Sequence, residues 1–270
     1  MRKDREEMCE LALVPQELAS EVRGYSWARN RVGQAGASVY RLYGKPGAPD
    51  LYLKHGHGDL AAGVREEAAK MRWLADYIAA PAVMRCVHDP ADTWVLMTAM
   101  PGKTAQQVLE EDPESRAVIV DTLADFLKSI HSVPISVCPF KSPLNDRLEL
   151  ARKRIDAGLV DEGDFDDERE GWGAERVWDA IHTRLPFTSD PVVTHGDYSL
   201  DNLLMEAGAV VGCVDVGRLG IADRYQDLAI MWNCLGDFDV SLQRRFLSRY
   251  GVSKPDEGKL QLYLMLDELF

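Results

Sequence analysis

Two carboxylates and an amide lie close together in the chain: His195-Gly-Asp197, then Asn202, then Asp215-Val-Gly217. A β-branched run, Pro191-Val-Val-Thr194, precedes them and reads as a buried strand end. Between them, Leu203-Leu-Met205, a turn over Glu206-Ala-Gly208 and residues 210–216 read as an apolar hairpin. The acids and the amide therefore fall on loops at strand ends, where reactive groups are usually presented. Such a set suits phosphoryl transfer, which needs a carboxylate to receive the proton of an attacking hydroxyl and oxygen ligands to hold Mg²⁺ on the phosphates. Magnesium takes oxygen ligands and keeps several waters, so one amide and one carboxylate are sufficient protein donors.

The offsets are those of the protein-kinase H-x-D-x-x-x-x-N loop and its following D-x-G. An isolated H-G-D is an ordinary surface turn. Three matched offsets ahead of a strand argue against that alternative.

Groups that would hold a nucleotide must come from elsewhere in the chain. Residues 25–54 alternate apolar and polar positions around glycine turns, predicting strands at 32–43 and 51–54. Gly33-Gln-Ala-Gly36 offers backbone N–H groups to phosphate oxygens, but a hairpin needs glycine there in any case. Alternation in the last strand puts Tyr52 and Lys54 on one face and Leu51 and Leu53 on the other. In residues 63–80, Val64, Glu67, Ala68, Met71 and Leu74 recur at helical spacing, so Glu67 lies within the apolar stripe. A buried glutamate requires a partner, and Lys54 is the natural one; Glu66 lies off the stripe. Strands follow at 82–87 and 93–99, and Pro101-Gly102 marks a boundary between a first lobe, 1–100, and a second, 101–270. A hinge there would offer main-chain groups of residues 98–100, Thr98 and Met100 included, to an adenine edge.

Beyond the hinge the spacing turns helical: 117–130, ending at a structural His131, then 145–158, 174–185, 223–235, 241–250 and a strongly apolar 258–270. The fold class is thus α+β, with a β-rich first lobe and a mostly helical second. Residues 161–170 hold seven acids and one arginine. A packed final helix would fix Asp267, Glu268 and the Phe270 carboxylate. Either acidic feature alone is a solvated face. Beside a kinase-type loop, the two together suggest a pocket for a polycation.

Thirty-one basic against 44 acidic residues give a net charge of −13, which repels nucleic acid and anionic membrane and attracts cations. The apolar runs are too short for a spanning helix or a signal-peptide core, and five cysteines without zinc spacing suit reduced thiols in a cytoplasm. A monomer or weak dimer is expected.

The chain resembles the aminoglycoside 3′-phosphotransferases, the kanamycin-kinase resistance enzymes, and most of all their type I members. The resemblance runs through Gly24-Tyr-Ser-Trp-Ala-Arg29, Tyr40-Arg-Leu-Tyr-Gly-Lys-Pro46, Leu51-Tyr-Leu-Lys-His-Gly56, Gly158-Leu-Val-Asp161, Asp164-Phe-Asp-Asp-Glu-Arg169, the H-G-D loop, Asp223-Arg-Tyr-Gln-Asp-Leu-Ala-Ile230 and Leu264-Met-Leu-Asp-Glu-Leu-Phe270. It implies a bilobal protein-kinase-like fold and transfer of the ATP γ-phosphate to a sugar hydroxyl. It further implies that Asp197 is the catalytic acid/base residue and that Asn202 and Asp215 hold Mg²⁺. Lys54, oriented by Glu67, would bind the α/β-phosphates, with Tyr52 on the adenine and Thr98 and Met100 at its edge. Asp164, Asp166, Asp167, Arg218, Asp267, Glu268 and Phe270 would line a pocket for the cationic aminoglycoside. Asp227 and His195 would brace the catalytic loop. Asn233-Cys234 stands where several family members carry Arg-Asp, which leaves the drug spectrum open, and Leu269 replaces a common Phe.

Two other classes compete. A small-molecule kinase for another hydroxylated substrate, such as choline, would keep the loop and the D-x-G without needing paired acidic features. A nucleotide-binding pseudokinase would be expected to lack Asp197, Asn202 or Asp215, and none is lost.

Overall fold

Strand-forming alternation dominates the first hundred residues and helical spacing most of the rest, and the chain divides accordingly into two compact units. The computed structural model describes residues 6–9, 14–30 and 36–270, apart from the side chain of Asp167. The glycine turn expected at 33–36, and the strand expected to lead into it, fall largely outside the described residues.

The first unit comprises Met1–Gly102 and Val211–Gly217. Its strands are β1 (Glu6–Met8), β2 (Ser26–Asn30), β3 (Ser38–Tyr43), β4 (Leu51–His57), β5 (Val83–His88) and β6 (Asp92–Thr98). They form an antiparallel sheet in the order β1-β2-β3-β4-β6-β5. Helix α1 (Gln16–Val22) gives Leu18 and Val22 to a core with Trp27, Leu42, Leu51, Leu53 and Leu96. Each such side chain taken fully out of water contributes about 1.5–3 kcal/mol. Helix α2 (Asp59–Leu74) packs on β4, β5 and β6 and buries Val64, Ala68, Met71 and Leu74. Leu51 and Leu53 thus face the α1 core, and Lys54 alternates to the opposite face, toward α2.

The second unit comprises Lys103–Val210 and Arg218–Phe270. It opens with β7 (Lys103–Thr104) and α3 (Ala105–Glu111), whose start carries a reciprocal cap between Thr104 and Gln107. Helix α4 (Arg116–His131) buries Ile119, Val120, Leu123, Ala124, Leu127 and Ile130 along one stripe. Then come α5 (Leu144–Asp156), α6 (Ala174–His182), β8 (Pro191–Thr194), β9 (Leu203–Glu206), β10 (Ala209–Cys213, which runs on into the first unit's segment), β11 (Gly220–Asp223), α7 (Tyr225–Gly236), α8 (Val240–Tyr250) and α9 (Glu257–Asp267). Helix α8 packs on α4 and α7, and α9 on α7 and α6. The pair β8–β11, in register from Gly220↔Thr194 to Asp223↔Pro191, holds the start of the H-G-D loop.

The structural division falls after Gly102, two residues beyond the one expected from sequence, and 211–217 groups with the first unit rather than the second. Hydrogen bonds supply the reason. The Cys213 N–H donates to Ala79 O (3.2 Å) and Lys70 Nζ to Gly217 O (2.7 Å). Among the described residues no helix is long and apolar enough to cross a membrane.

Candidate active site

In the first unit, Lys54 is the organising charge. Its side chain is 11% exposed, and Nζ lies 2.7 Å from Glu67 Oε2 and 3.2 Å from Asp215 Oδ1. Burial alone would push this ammonium down. The charges of Glu67 and Asp215 and their hydrogen bonds outweigh it and hold Lys54 above the ordinary lysine range. A cation whose folded value is raised contributes its stability below the unfolded value and loses it only as pH climbs through the folded one. No change near neutrality discharges it. Asp215 sits at φ 58°, an uncommon backbone state for a residue with a side chain, and its own side chain is 44% exposed.

Lys54→Met should lower kcat/KM for ATP on the order of 100-fold, the usual effect of deleting one pre-placed positive donor. It should also destabilise the protein by about 3 kcal/mol by stranding buried Glu67. Adding Glu67→Gln should restore most of the melting temperature and none of the turnover. Recovery of both would make the pair purely structural.

Tyr52 is half-buried on β4, two residues from Lys54 on the same face. The N–H of Thr98 already donates to Ala82 O (3.1 Å), and its Oγ1 accepts the Ala82 N–H (2.9 Å). Neither bond uses the Thr98 carbonyl, so Thr98 has an acceptor to offer a base edge and no main-chain donor.

In the second unit the main chain of the H-G-D loop is held chiefly by side chains of α7 and of the loop itself. Asp227, fully buried on α7, accepts the N–H of His195 on Oδ2 and that of Gly196 on Oδ1, both at 2.8 Å. Gln226 Nε2 donates to Gly196 O (3.1 Å). The Asp197 N–H donates to His195 Nδ1 (3.3 Å), and Asp197 O accepts from Ser199 N (2.9 Å) and Asn202 Nδ2 (3.0 Å). Because the Asn202 amide nitrogen is committed there, its Oδ1 is turned out as an acceptor, the donor type a hard cation takes.

A second layer stands behind Asp227. His131 Nε2 lies 2.9 Å from Asp227 Oδ2, and His131 Nδ1 lies 2.7 Å from the Tyr250 hydroxyl. Burial pushes the Tyr250 phenol up to about 12, so it keeps its proton at neutral pH. A protonated hydroxyl is compatible with the tautomer in which His131 Nδ1 accepts from it and the Nε2–H faces Asp227. Arg224 Nη1 donates to the Tyr250 oxygen (3.2 Å). His131, expected as a structural residue at a helix end, takes a structural place here between Tyr250 and Asp227. Its link to Asp227 spans 96 positions and leaves no signal in the sequence.

The acids of the second unit are divided by partner. Asp267 Oδ1 lies 3.2 Å from Arg218 Nη1 and 3.6 Å from Arg147 Nη2, and both guanidiniums stack over the Phe270 ring at 5.1 and 4.9 Å. Arg154 donates to Leu269 O (2.9 Å) and Phe270 O (2.7 Å), fixing the segment that carries Asp267. Glu268 and Asp166 are both bound to Arg169. Asp164 is exposed, and the side chain of Asp167 lies outside the described part of the chain.

A buried lysine held between two acids in one unit, and a braced H-G-D loop with a turned amide in the other, define a phosphotransferase. The profile of the phosphotransferase enzyme family matches residues 27–263, and the chain belongs to this family and, within it, to the aminoglycoside 3′-phosphotransferases. It is 54% identical over 266 residues to an aminoglycoside 3′-phosphotransferase of Escherichia coli, with 98% of each chain covered. One from Streptomyces fradiae is 34% identical, over 91% of this chain and 96% of that one. The crystal structure of a type VIII aminoglycoside 3′-phosphotransferase is similar with a TM-score of 0.83 at 32% identity, covering 94% of this chain and 97% of that one. An aminoglycoside phosphotransferase of Streptomyces rimosus in complex with ADP and streptomycin aligns with a TM-score of 0.75 at 25% identity, over 88% of this chain and 94% of that one. The fold is accordingly protein-kinase-like, with a β-sheet lobe and a helical lobe.

Proposed function

We propose that the protein transfers the γ-phosphate of ATP to the 3′-hydroxyl of kanamycin- and neomycin-type aminoglycosides and thereby confers resistance to them. The observation that carries this reading is the buried Lys54 ammonium, kept charged between Glu67 and Asp215. A cation so committed to remaining charged is suited to phosphate oxygens. The names of relatives 53–54% identical over nearly the whole chain support the substrate.

In this reading Lys54, oriented by Glu67, holds the α/β-phosphates. Tyr52 lies on the adenine, the Thr98 carbonyl accepts from its exocyclic amine, and Met100 offers the main-chain donor. Asn202 and Asp215 supply oxygen ligands that fit Mg²⁺, which when bound would offset the charge of the phosphates. Asp197 accepts the proton of the 3′-hydroxyl as that oxygen forms its bond to the γ-phosphorus, while the bond to the β-bridging oxygen breaks and ADP leaves. Asp164, Asp167, Asp267 and the Phe270 carboxylate receive the ammonium groups of the antibiotic, Asp166 and Glu268 border the same pocket as the partners of Arg169, and Arg218 sets the position of Asp267. Positioning of this kind supplies most of the rate in phosphoryl transfer, since the protein has little covalent chemistry to perform. We place the reaction in the cytoplasm, where ATP is supplied and free cysteines stay reduced, with the protein acting as a monomer or weak dimer.

ADP release coupled to a reporter, with Mg-ATP and either kanamycin or tobramycin, which lacks the 3′-hydroxyl, tests the assignment. Turnover with kanamycin alone is the expected result. Turnover with both moves the reaction to another hydroxyl. Silence with both, in a protein that binds ATP, removes aminoglycosides as substrates.

A further inference from the structure

The acidic run at 161–170 contains one cation, Arg169, which has no place in the reading above. Its neighbours Glu168 and Glu170 are exposed, yet Arg169 is only 3% exposed. A guanidinium so deep needs several acceptors, and it has them on separate segments. Nε donates to Glu268 Oε2 (2.6 Å), Nη1 to Gln261 Oε1 (3.2 Å) and Nη2 to Asp166 Oδ2. The Asp166 N–H in turn donates to Glu268 Oε1 (3.0 Å), closing a ring of contacts between the acidic loop and the end of α9. Both Glu268 oxygens are therefore engaged, and its side chain is 10% exposed against 37% for adjacent Asp267. Glu268 faces inward as an anchor, and Asp267 keeps a solvent face.

We propose that Arg169 is a positioning residue for the cationic substrate, tying Asp166 and Glu268 together so that the loop carrying Asp164 is fixed relative to Asp267. The inference rests on the aminoglycoside reading. Its physical basis is repulsion: a loop of exposed like charges has no electrostatic reason to stay beside two further acids unless a buried counter-ion holds it there. With the loop fixed beforehand, a polyammonium ligand meets carboxylates at set spacing and avoids the entropic cost of ordering them at each binding event.

The test uses the full chain with Mg-ATP and kanamycin. Arg169→Gln should raise the kanamycin KM by roughly tenfold or more, with the ATP KM within about twofold of the parent. Arg169→Lys, which keeps the charge but loses the fork, should fall between. A lower melting temperature with an unchanged kanamycin KM would reduce Arg169 to a structural residue and overturn the inference. If Arg169→Gln does not fold, Arg169→Lys combined with Glu268→Gln decides. Non-additive effects on the kanamycin KM place both residues in one device, whereas additive effects make Glu268 an independent ligand and overturn the inference. A parent that binds ATP but does not phosphorylate kanamycin fails the aminoglycoside reading and this inference with it. A parent that does, with variants whose kanamycin KM is unchanged, fails the inference alone.

Discussion

Asp197→Asn should melt at the parent's temperature and lose roughly 10²–10⁴-fold in kcat, the range general-base catalysis supplies. Position 197 is held by its main chain, through His195 Nδ1 at its N–H and Ser199 and Asn202 at its carbonyl. The isosteric amide leaves all of those main-chain bonds in place and removes the carboxylate that would accept the proton. Because the change falls on the chemical step, kcat and kcat/KM should drop together while the ATP KM stays within about twofold. Steady-state ADP release at saturating and limiting kanamycin separates these terms. Near-parental turnover in the variant would show that the hydroxyl proton goes elsewhere.

Gly196→Ala carries the second large effect, by a different route. Gly196 adopts φ +88°, and a Cβ built there would lie 2.2 Å from the carbonyl oxygen of Arg218. Main chain on both sides of the clash leaves nothing flexible to yield, and the left-handed conformation adds about 1 kcal/mol or more for any residue with a side chain. The same residue donates its N–H to Asp227, so relief of the clash must pull the loop off its brace. We expect a loss of about 3 kcal/mol or more in stability and at least ~10²-fold in kcat, since a displacement of about 1 Å at the reacting groups already costs that much. Thermal melting together with single-turnover kinetics checks both. A variant with parental stability and rate would mean that the loop follows another path past Arg218.

These two expectations draw on features of unequal legibility. The H-G-D loop was readable because its acids and amide sit at short, fixed offsets, with Asp197, Asn202 and Asp215 all within 19 residues. The Lys54–Glu67 pair was readable because strand alternation and helical spacing each put one charge on an otherwise apolar face, and buried opposite charges seek each other. Helix positions followed the apolar spacing closely, as in α4, expected at 117–130 and observed at Arg116–His131. Contacts that depend on tertiary placement were not readable. The Arg169–Glu268 bond joins positions 99 apart, and nothing in an acidic run shows that its one arginine turns inward. The three-residue strand β1 and the two-residue strand β7 are too short to leave a periodic signal. The use of the Thr98 N–H by Ala82 likewise depends on how the chain doubles back through Pro81.

The allotment of Val211–Gly217 to the first unit has a consequence for how the protein is made. A ribosome delivers the sheet, α1 and α2 early, but Asp215 and the main chain that Lys70 and Ala79 hold follow only after more than a hundred further residues. Until then Lys54 has Glu67 as its described partner and lacks Asp215. Domains usually mature in order of synthesis. Here the leading unit must wait for a segment that emerges with the trailing one, so the charge triad of Lys54, Glu67 and Asp215 is completed late in translation, after the H-G-D loop has left the ribosome.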